Sequence, residues 1–268
     1  MDKKLLSEIW IYPIKSLGGV RVKSVRVLEK GLERDRRWML IDQKNTFMTQ
    51  RLYPQMTLFK LQLTNNNLQV THQENTISIP AEKKDGRQSI RATIWNDQVD
   101  VVEGSSAFSQ WFSDRLKMNC KLVFFPEKNL RPVDLNYQQN HEHVSLADAF
   151  PFLLIGEESL ADLNSRLKEP ILMNRFRPNF VFSGGQAYEE DNWKNFLIGK
   201  NKFAVVKPCA RCVIPTINQD TGTKGSEPLA TLTTYRKKDN KVLFGQNVLG
   251  VNINTHEEVH EGDEIVLE

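Results

Sequence analysis

The chain lacks any apolar run near the roughly 20 residues that a membrane-spanning helix requires, so no contact with a membrane is expected. Cysteine is scarce, at three in 268 residues. An odd, sparse set argues against a disulfide framework and leaves thiols free for other chemistry in a reducing compartment. No sign of charge dominates: 36 Lys plus Arg face 33 Asp plus Glu, a net +3. Nucleic-acid partners ask for a concentrated basic stripe, and none is expected here. The opening residues reach the charge of Glu8 before an apolar leader can form, so the expected location is cytoplasmic. Gly18-Gly19 and Gly184-Gly185 have neither phosphate-loop nor dinucleotide-fold spacing. Internal repeats and low-complexity tracts are missing as well.

What remains is an ordinary globular composition, 40% hydrophobic and 26% charged. The first hundred residues punctuate like β-structure. Leu6 to Ile14 is an apolar run broken at Pro13, and Val20, Val22, Val25 and Val27 follow it. Trp38 to Ile41 turns through Asp42 to Asn45 and returns along Thr46 to Thr49. Leu58 to Leu63 with Leu68 to Thr71, and Ile90 to Ile94 with Val99 to Val102 around an Asn96-Asp97 turn, predict further hairpins. Phe108, Trp111, Phe112 and Leu116 predict an amphipathic helix over Ser105–Lys117, and Leu160, Leu163 and Leu167 a second over Glu157–Leu167. Later strands are expected at Asn179–Phe182, Phe203–Val206, Val242–Phe244, Val248–Ile253 and Glu264–Leu267. The polar segment Pro126 to Glu142 reads as a linker or surface loop.

Two histidine motifs invite a metal reading that their context opposes. His256-Glu257-Glu258-Val259-His260 fits a zinc-protease helix, but a β-rich run precedes it and Glu261-Gly262-Asp263 breaks the chain after it. His141-Glu142-His143 has no Cys or carboxylate cluster at ligand spacing and reads as exposed loop. Lys207-Pro208-Cys209-Ala210-Arg211-Cys212 carries more information. One such pair is open to a zinc half-site, a redox pair or two buried small side chains. The β-branched, proline-bearing stretch Val213 to Asn218 predicts extended chain rather than the helix a redox pair caps. Lys207 and Arg211 flank the thiols, a cationic setting that favours thiolate, the donor a soft or high-valent metal selects. Arg34-Asp35-Arg36-Arg37-Trp38 and Arg175-Phe176-Arg177-Pro178-Asn179 add guanidinium forks suited to phosphate and to heterocycle edges.

Six ordered landmarks decide among these readings. They are Tyr12-Pro13-Ile14-Lys15-Ser16, Arg34 to Trp38, Asp148-Ala149-Phe150-Pro151, Arg175 to Asn179, Cys209 to Cys212 leading into Asp220-Thr221-Gly222, and Phe244-Gly245-Gln246-Asn247. In this order the chain resembles the two-domain MOSC proteins. That family includes the mitochondrial amidoxime reducing component and bacterial YcbX-type molybdenum-cofactor proteins, and shares a domain with molybdenum cofactor sulfurase.

The resemblance implies a mainly β fold with a few flanking helices: an N-terminal MOSC β-barrel region over residues 1–125 and a β-barrel MOSC domain over 126–268. It implies a molybdopterin cofactor carrying molybdenum, with Cys212 as the protein thiolate on the metal and Cys209 nearby. Lys15, Ser16 and Arg36 would hold the cofactor from the N-terminal segment. Arg177, Asn179, Arg211 and Asn247 would close around it from the other side, with Asp148 near the metal as a proton relay. The implied activity is reduction of N-hydroxylated compounds. Some bacterial relatives carry an added ferredoxin-like domain with a C-x₄-C-x₂-C cluster, for which these residues hold no cysteines. Electrons are therefore expected from a separate flavin, haem or ferredoxin-type protein. Two alternatives stay open: a sulfur carrier using a persulfide on Cys212, and a molybdopterin-binding module without turnover.

Overall fold

The computed structural model describes residues 3–82, 89–253 and 257–268. Its first half runs β1 (Leu5–Ile11), β2 (Val20–Val22), β3 (Ser24–Leu28), β4 (Gly31–Leu32), β5 (Trp38–Ile41), β6 (Lys60–Thr64), β7 (Asn67–His72), β8 (Asn75–Pro80), β9 (Ser89–Ile94), β10 (Asp97–Glu103), α1 (Ser106–Leu116) and β11 (Lys121–Phe124). The second half runs β12 (Phe152–Gly156), α2 (Glu157–Arg166), β13 (Phe180–Ser183), β14 (Asn195–Ile198), β15 (Asn201–Ala210), α3 (Leu229–Tyr235), β16 (Lys237–Lys238), β17 (Lys241–Val251), β18 (Glu258–His260) and β19 (Ile265–Leu267). The class is mainly β with a few helices, as the sequence predicts.

The largest sheet has the order β19-β14-β15-β17-β12-β13-β1-β2, with β16 attached to β17. β1 and β2, from the first 22 residues, thus complete a sheet otherwise built from residues beyond 150. Smaller sheets follow the orders β5-β11-β10-β9, β6-β7-β8 and β18-β3-β4.

Two cores matter for the site. Leu6, Ile9 and Ile11 of β1 point into a core of Phe152, Phe180, Phe196 and Phe203. Ile14 and Leu17, a few residues on, belong to a different core around Trp38, Phe59 and Phe112. The chain from Tyr12 to Ser16 is therefore pinned at both ends and crosses the seam between them. Alternation of apolar side chains drives both strand and crossing, because each buried residue removes its area from water.

Several local expectations change. Thr46 to Thr49 forms no strand, only isolated bridges such as Ile41 with Phe47. The β9–β10 loop is Trp95-Asn96, since Ile94 pairs with Asp97. Val242–Phe244 and Val248–Ile253 fuse into the single strand β17. Gly245 joins them at φ +78°, where a Cβ would lie 2.6 Å from Ile155 Cγ1. Val213 to Asn218 holds a 3₁₀ turn at Ile214–Thr216 rather than extended chain throughout. The segment after Phe124 is irregular but anchored: buried Arg131 donates to the carbonyls of Ser145 (3.0 Å), Ala147 (2.5 Å) and Asp148 (3.1 Å).

Helix α1 starts where expected because Ser105 caps it, its hydroxyl accepting from the Phe108 N–H at 3.3 Å. Ser105→Ala leaves that donor without its cap and is expected to cost about 1 kcal/mol, read as a lower denaturant midpoint at unchanged slope.

Candidate active site

Tyr12 is the first side chain of the seam segment and is 1% exposed. Its ring is flanked by two guanidinium groups, with Cζ of Arg36 at 4.4 Å and of Arg177 at 4.2 Å from the centroid. Such stacking attracts a cation to the ring face. Arg36 donates to Asp35 Oδ2 at 2.5 Å, to Asn179 Oδ1 at 3.1 Å and to the Arg177 carbonyl at 3.3 Å. Arg177 donates to the Leu17 carbonyl at 2.7 Å. Asn179, buried on the other side of the pair, donates to the Trp10 carbonyl at 3.1 Å. Asp35, fully buried, accepts from the Tyr12 N–H at 2.7 Å through its other oxygen.

Three of these residues hold left-handed backbone: Ser16 at φ 66°, Arg36 at 50° and Arg177 at 58°. L-residues avoid that region, and strain of this kind concentrates at functional sites. Burial lowers the Arg177 guanidinium to about 10, with Tyr12 opposing and Arg36 adding to the fall. Burial likewise pushes the Tyr12 hydroxyl well above the ordinary tyrosine value, although Arg177 and Arg36 pull it down.

A second cluster sits beside the first. The Lys15 ammonium, buried, donates to the Leu146 carbonyl at 2.7 Å and to Asp148 Oδ1 at 2.5 Å. Arg51 donates to Asp148 Oδ2 at 3.0 Å, and the nearby Cys212 thiol is among the groups that raise the same guanidinium. Burial lowers Lys15 to about 8, with Asp148 opposing. Burial would raise Asp148, but Lys15 and Arg51 outweigh it and hold the carboxyl far below the usual range. Asp148 is therefore an ionised bridge between two cations at neutral pH, with its side chain 47% exposed. Burial would lower Arg51, yet Asp148 and Cys212 raise it.

The structure brings most of the predicted residues together. Cys212 is partly exposed, just past the end of β15. Of the two thiols it flanks in sequence, Arg211 meets the first: it donates to Cys209 Sγ at 3.0 Å and to the Phe176 carbonyl at 2.7 Å. The cation that the Cys212 thiol raises is Arg51, which no sequence motif marks. Arg51 stands in irregular chain between β5 and β6, and only the fold carries it to a residue 161 positions away. Asn247, opposite Lys207 in the β15–β17 pairing, donates to the Lys207 carbonyl at 3.2 Å. Gln50 and Gln219 tie the two halves behind the cluster, each donating to the other at 3.3 Å, while Gln50 also donates to the Ser16 carbonyl.

Two buried donors of this region, the Tyr12 hydroxyl and Arg211 Nε, have no hydrogen-bond partner among the described residues. A buried polar group without a partner is costly, so each of these donors calls for an acceptor. Arg36, Arg51, Arg177, Arg211 and Lys15 outnumber the carboxylates Asp35 and Asp148. The cradle fits a large anionic group with many acceptor atoms.

The histidine motifs fall elsewhere. Glu258–His260 is strand β18, paired with β3, so those residues are not helical; His256 lies outside the described residues. In the loop motif His141 is exposed, but Glu142 is buried and accepts the N–H groups of Gln139 (2.8 Å) and Asn140 (3.0 Å), correcting its expected exposure. His143 Nδ1 contacts Glu29. No helix of the described residues is long and apolar enough to cross a membrane.

Comparison with known proteins agrees with this geometry. The profile of the MOSC N-terminal beta barrel domain matches residues 3–119, and that of the MOSC domain matches residues 141–266. The human mitochondrial amidoxime-reducing component 1 is 32% identical over 91% of this chain and 76% of its own length. The rat mitochondrial amidoxime reducing component 2 is 36% identical over 88% of this chain and 74% of its own. The rice molybdenum cofactor sulfurase is 33% identical over 90% of this chain, which spans only 32% of that longer protein. With both profiles in order and relatives of this identity along most of its length, the chain belongs to the MOSC family.

Proposed function

We propose that this protein is a molybdenum-cofactor-dependent reductase of N-hydroxylated compounds, supplied with electrons by a separate protein. The observation that carries the reading is the partly exposed Cys212 thiol, close enough to raise Arg51, in a structure whose basic cluster contains two unpartnered buried donors. The names of its amidoxime-reducing relatives support it.

In this reading Cys212 is the thiolate that holds molybdenum, and the bound cofactor supplies the two-electron centre at which an N–O bond is reduced. Lys15, Ser16 and Arg36 hold its phosphate and pterin from the seam segment, and Arg177, Asn179, Arg211 and Asn247 close the opposite side. Charge-assisted hydrogen bonds from fixed guanidinium groups make this hold strong and directional. The left-handed backbone at Ser16, Arg36 and Arg177 aims those residues before the ligand arrives.

The relay role expected for Asp148 moves to its neighbour. An ionised Asp148 has no proton to give at neutral pH, whereas Lys15, lowered to about 8, can lose and regain one. Asp148 then acts as a positioning residue that keeps Lys15 protonated and Arg51 turned toward Cys212.

Metal and pterin analysis of protein made in a host with an intact cofactor pathway tests the reading. The expected result is about one molybdenum per chain, with reduction of an N-hydroxylated compound when a competent electron donor is present. Persulfide on Cys212 without stoichiometric molybdenum would instead identify a sulfur carrier. Bound molybdopterin with no N–O reduction from any donor would identify a binding module.

A further inference from the structure

Trp95 is a bulky aromatic in a backbone conformation that bulky residues avoid. It opens the two-residue loop between β9 and β10 with φ +55°. Hairpin loops of this length want a positive φ at that place and ordinarily give it to Gly, Asn or Asp. Here Asn96 stands one position too late to relieve it. A strained conformation kept in a native fold directs attention to what the side chain does.

The indole is not absorbed by the core, since 46% of the residue is exposed. It meets Phe47 edge-on, with centroids 5.0 Å apart. Arg51 lies over its ring at 4.5 Å, and this is the guanidinium that donates to Asp148 and is raised by Cys212. The indole Nε1 donates to Asp148 Oδ1 at 3.4 Å. An exposed aromatic surface therefore borders the Lys15–Asp148–Arg51 cluster directly. Leu52 and Val213, the chain neighbours of Arg51 and Cys212, are 69% and 50% exposed. Isolated exposed apolar residues need no explanation, whereas Trp95 is an exposed ring tied directly to the polar cluster through Arg51 and Asp148.

We propose that Trp95 is a specificity-determining residue, selecting substrates whose N-hydroxylated group is carried on a flat aromatic or heteroaromatic body. The body stacks on the indole while the N–O group reaches the Cys212 site, so aliphatic substrates of equal reactivity are held less well. Aromatic pairing rewards flat partners in offset or edge-on contact, and the reward survives partial exposure. This inference rests on the reductase reading above.

Binding and turnover together test it. Purified protein is titrated by calorimetry with benzamide, a flat neutral mimic with no N–O bond, and with acetamide as its aliphatic counterpart. Benzamide is expected to bind more tightly. Trp95→Gly, which suits the positive φ, should weaken benzamide about tenfold and bring it near acetamide. Trp95→Phe keeps a ring but no N–H donor, so retention of most of the benzamide preference separates stacking from positioning of Asp148. In cofactor-loaded protein the ratio of kcat/KM for an aryl amidoxime over hydroxylamine should fall by a similar factor in Trp95→Gly, through KM. Benzamide affinity unchanged in Trp95→Gly, or equally poor in Trp95→Phe, overturns the inference. Loaded protein that reduces neither compound but keeps a Trp95-dependent benzamide preference removes the reductase reading and leaves the aryl site standing.

Discussion

Cys212→Ala is expected to abolish N–O bond reduction and to empty the site of molybdenum, with little change in fold. The residue is partly exposed and belongs to neither core, so truncation opens no cavity in them. Stability should move by less than about 1 kcal/mol, as for other substitutions away from buried networks. The chemical loss is much larger. Removing an outer-shell group that merely supports a metal ligand costs about 10- to 100-fold, and removing the ligand itself should exceed that range. Metal content, pterin content and turnover of the variant, each measured beside wild type, check the expectation. Cys212→Ala that reduces N-hydroxylated substrate at the wild-type rate would sink the catalytic assignment.

Asp148→Asn carries the second large effect because it removes the negative member of a three-residue charge cluster. Lys15 would keep the Leu146 carbonyl but lose its only carboxylate, and Arg51 would lose the anchor that faces it toward Cys212. Breaking a buried pair by deleting one partner costs about 3–5 kcal/mol. Asp148 is half-exposed, and solvent screening reduces that to about 1–3 kcal/mol. The sign with pH follows from the depressed carboxyl. Its contribution is fully present above the unfolded carboxylate value of about 3.9 and is lost as pH falls through the lower folded value. The stability gap between wild type and Asp148→Asn should therefore be wide at pH 7 and close in acid, as urea midpoints across that range would show. Asp148 also raises Lys15, so the variant should lose the alkaline limb of its pH–rate profile at a lower pH than wild type. Identical limbs in the two proteins would contradict the proton role given to Lys15.

Much of this fold was legible wherever a local signal and a tertiary one agree. Helix α1 combines a Ser cap at 105, apolar spacings of three and four, and a left-handed stop at Lys117. The pair β9 and β10 alternates cleanly, although its loop falls one residue earlier than the Asn96-Asp97 signal suggested. The irregular stretch from Pro126 onward was open only as composition, because what fixes it is Arg131 reaching backbone carbonyls 14 to 17 residues away. The site divides in the same way. Lys15, Arg36, Arg177, Asn179 and Cys212 sit in dense local motifs; the fold gathers Arg36, Arg177 and Asn179 at Tyr12 and sets Lys15 on Asp148. Arg51 and Trp95 lie in turns without motif, and their importance arises only from what the fold sets beside them. Arg211 flanks both thiols in sequence, and because successive side chains at a strand end point apart, its fork goes to Cys209.

The strand order has a consequence for how the molecule is made. β1 leaves the ribosome early, but its central partner at residue 180 must still be synthesised, with Ile9 opposite Phe180 and Leu5 opposite Ser183. At the usual elongation rate of about 5–20 residues per second, that leaves the first strand waiting on the order of ten to thirty seconds. During this interval β1 has only β2 to pair with, the phenylalanines that cover Leu6, Ile9 and Ile11 are still missing, and the neighbouring crossing segment cannot take its final course. Nascent chain therefore carries its cradle unmade until translation is well into the second half, which sets the earliest moment at which a cofactor could be received.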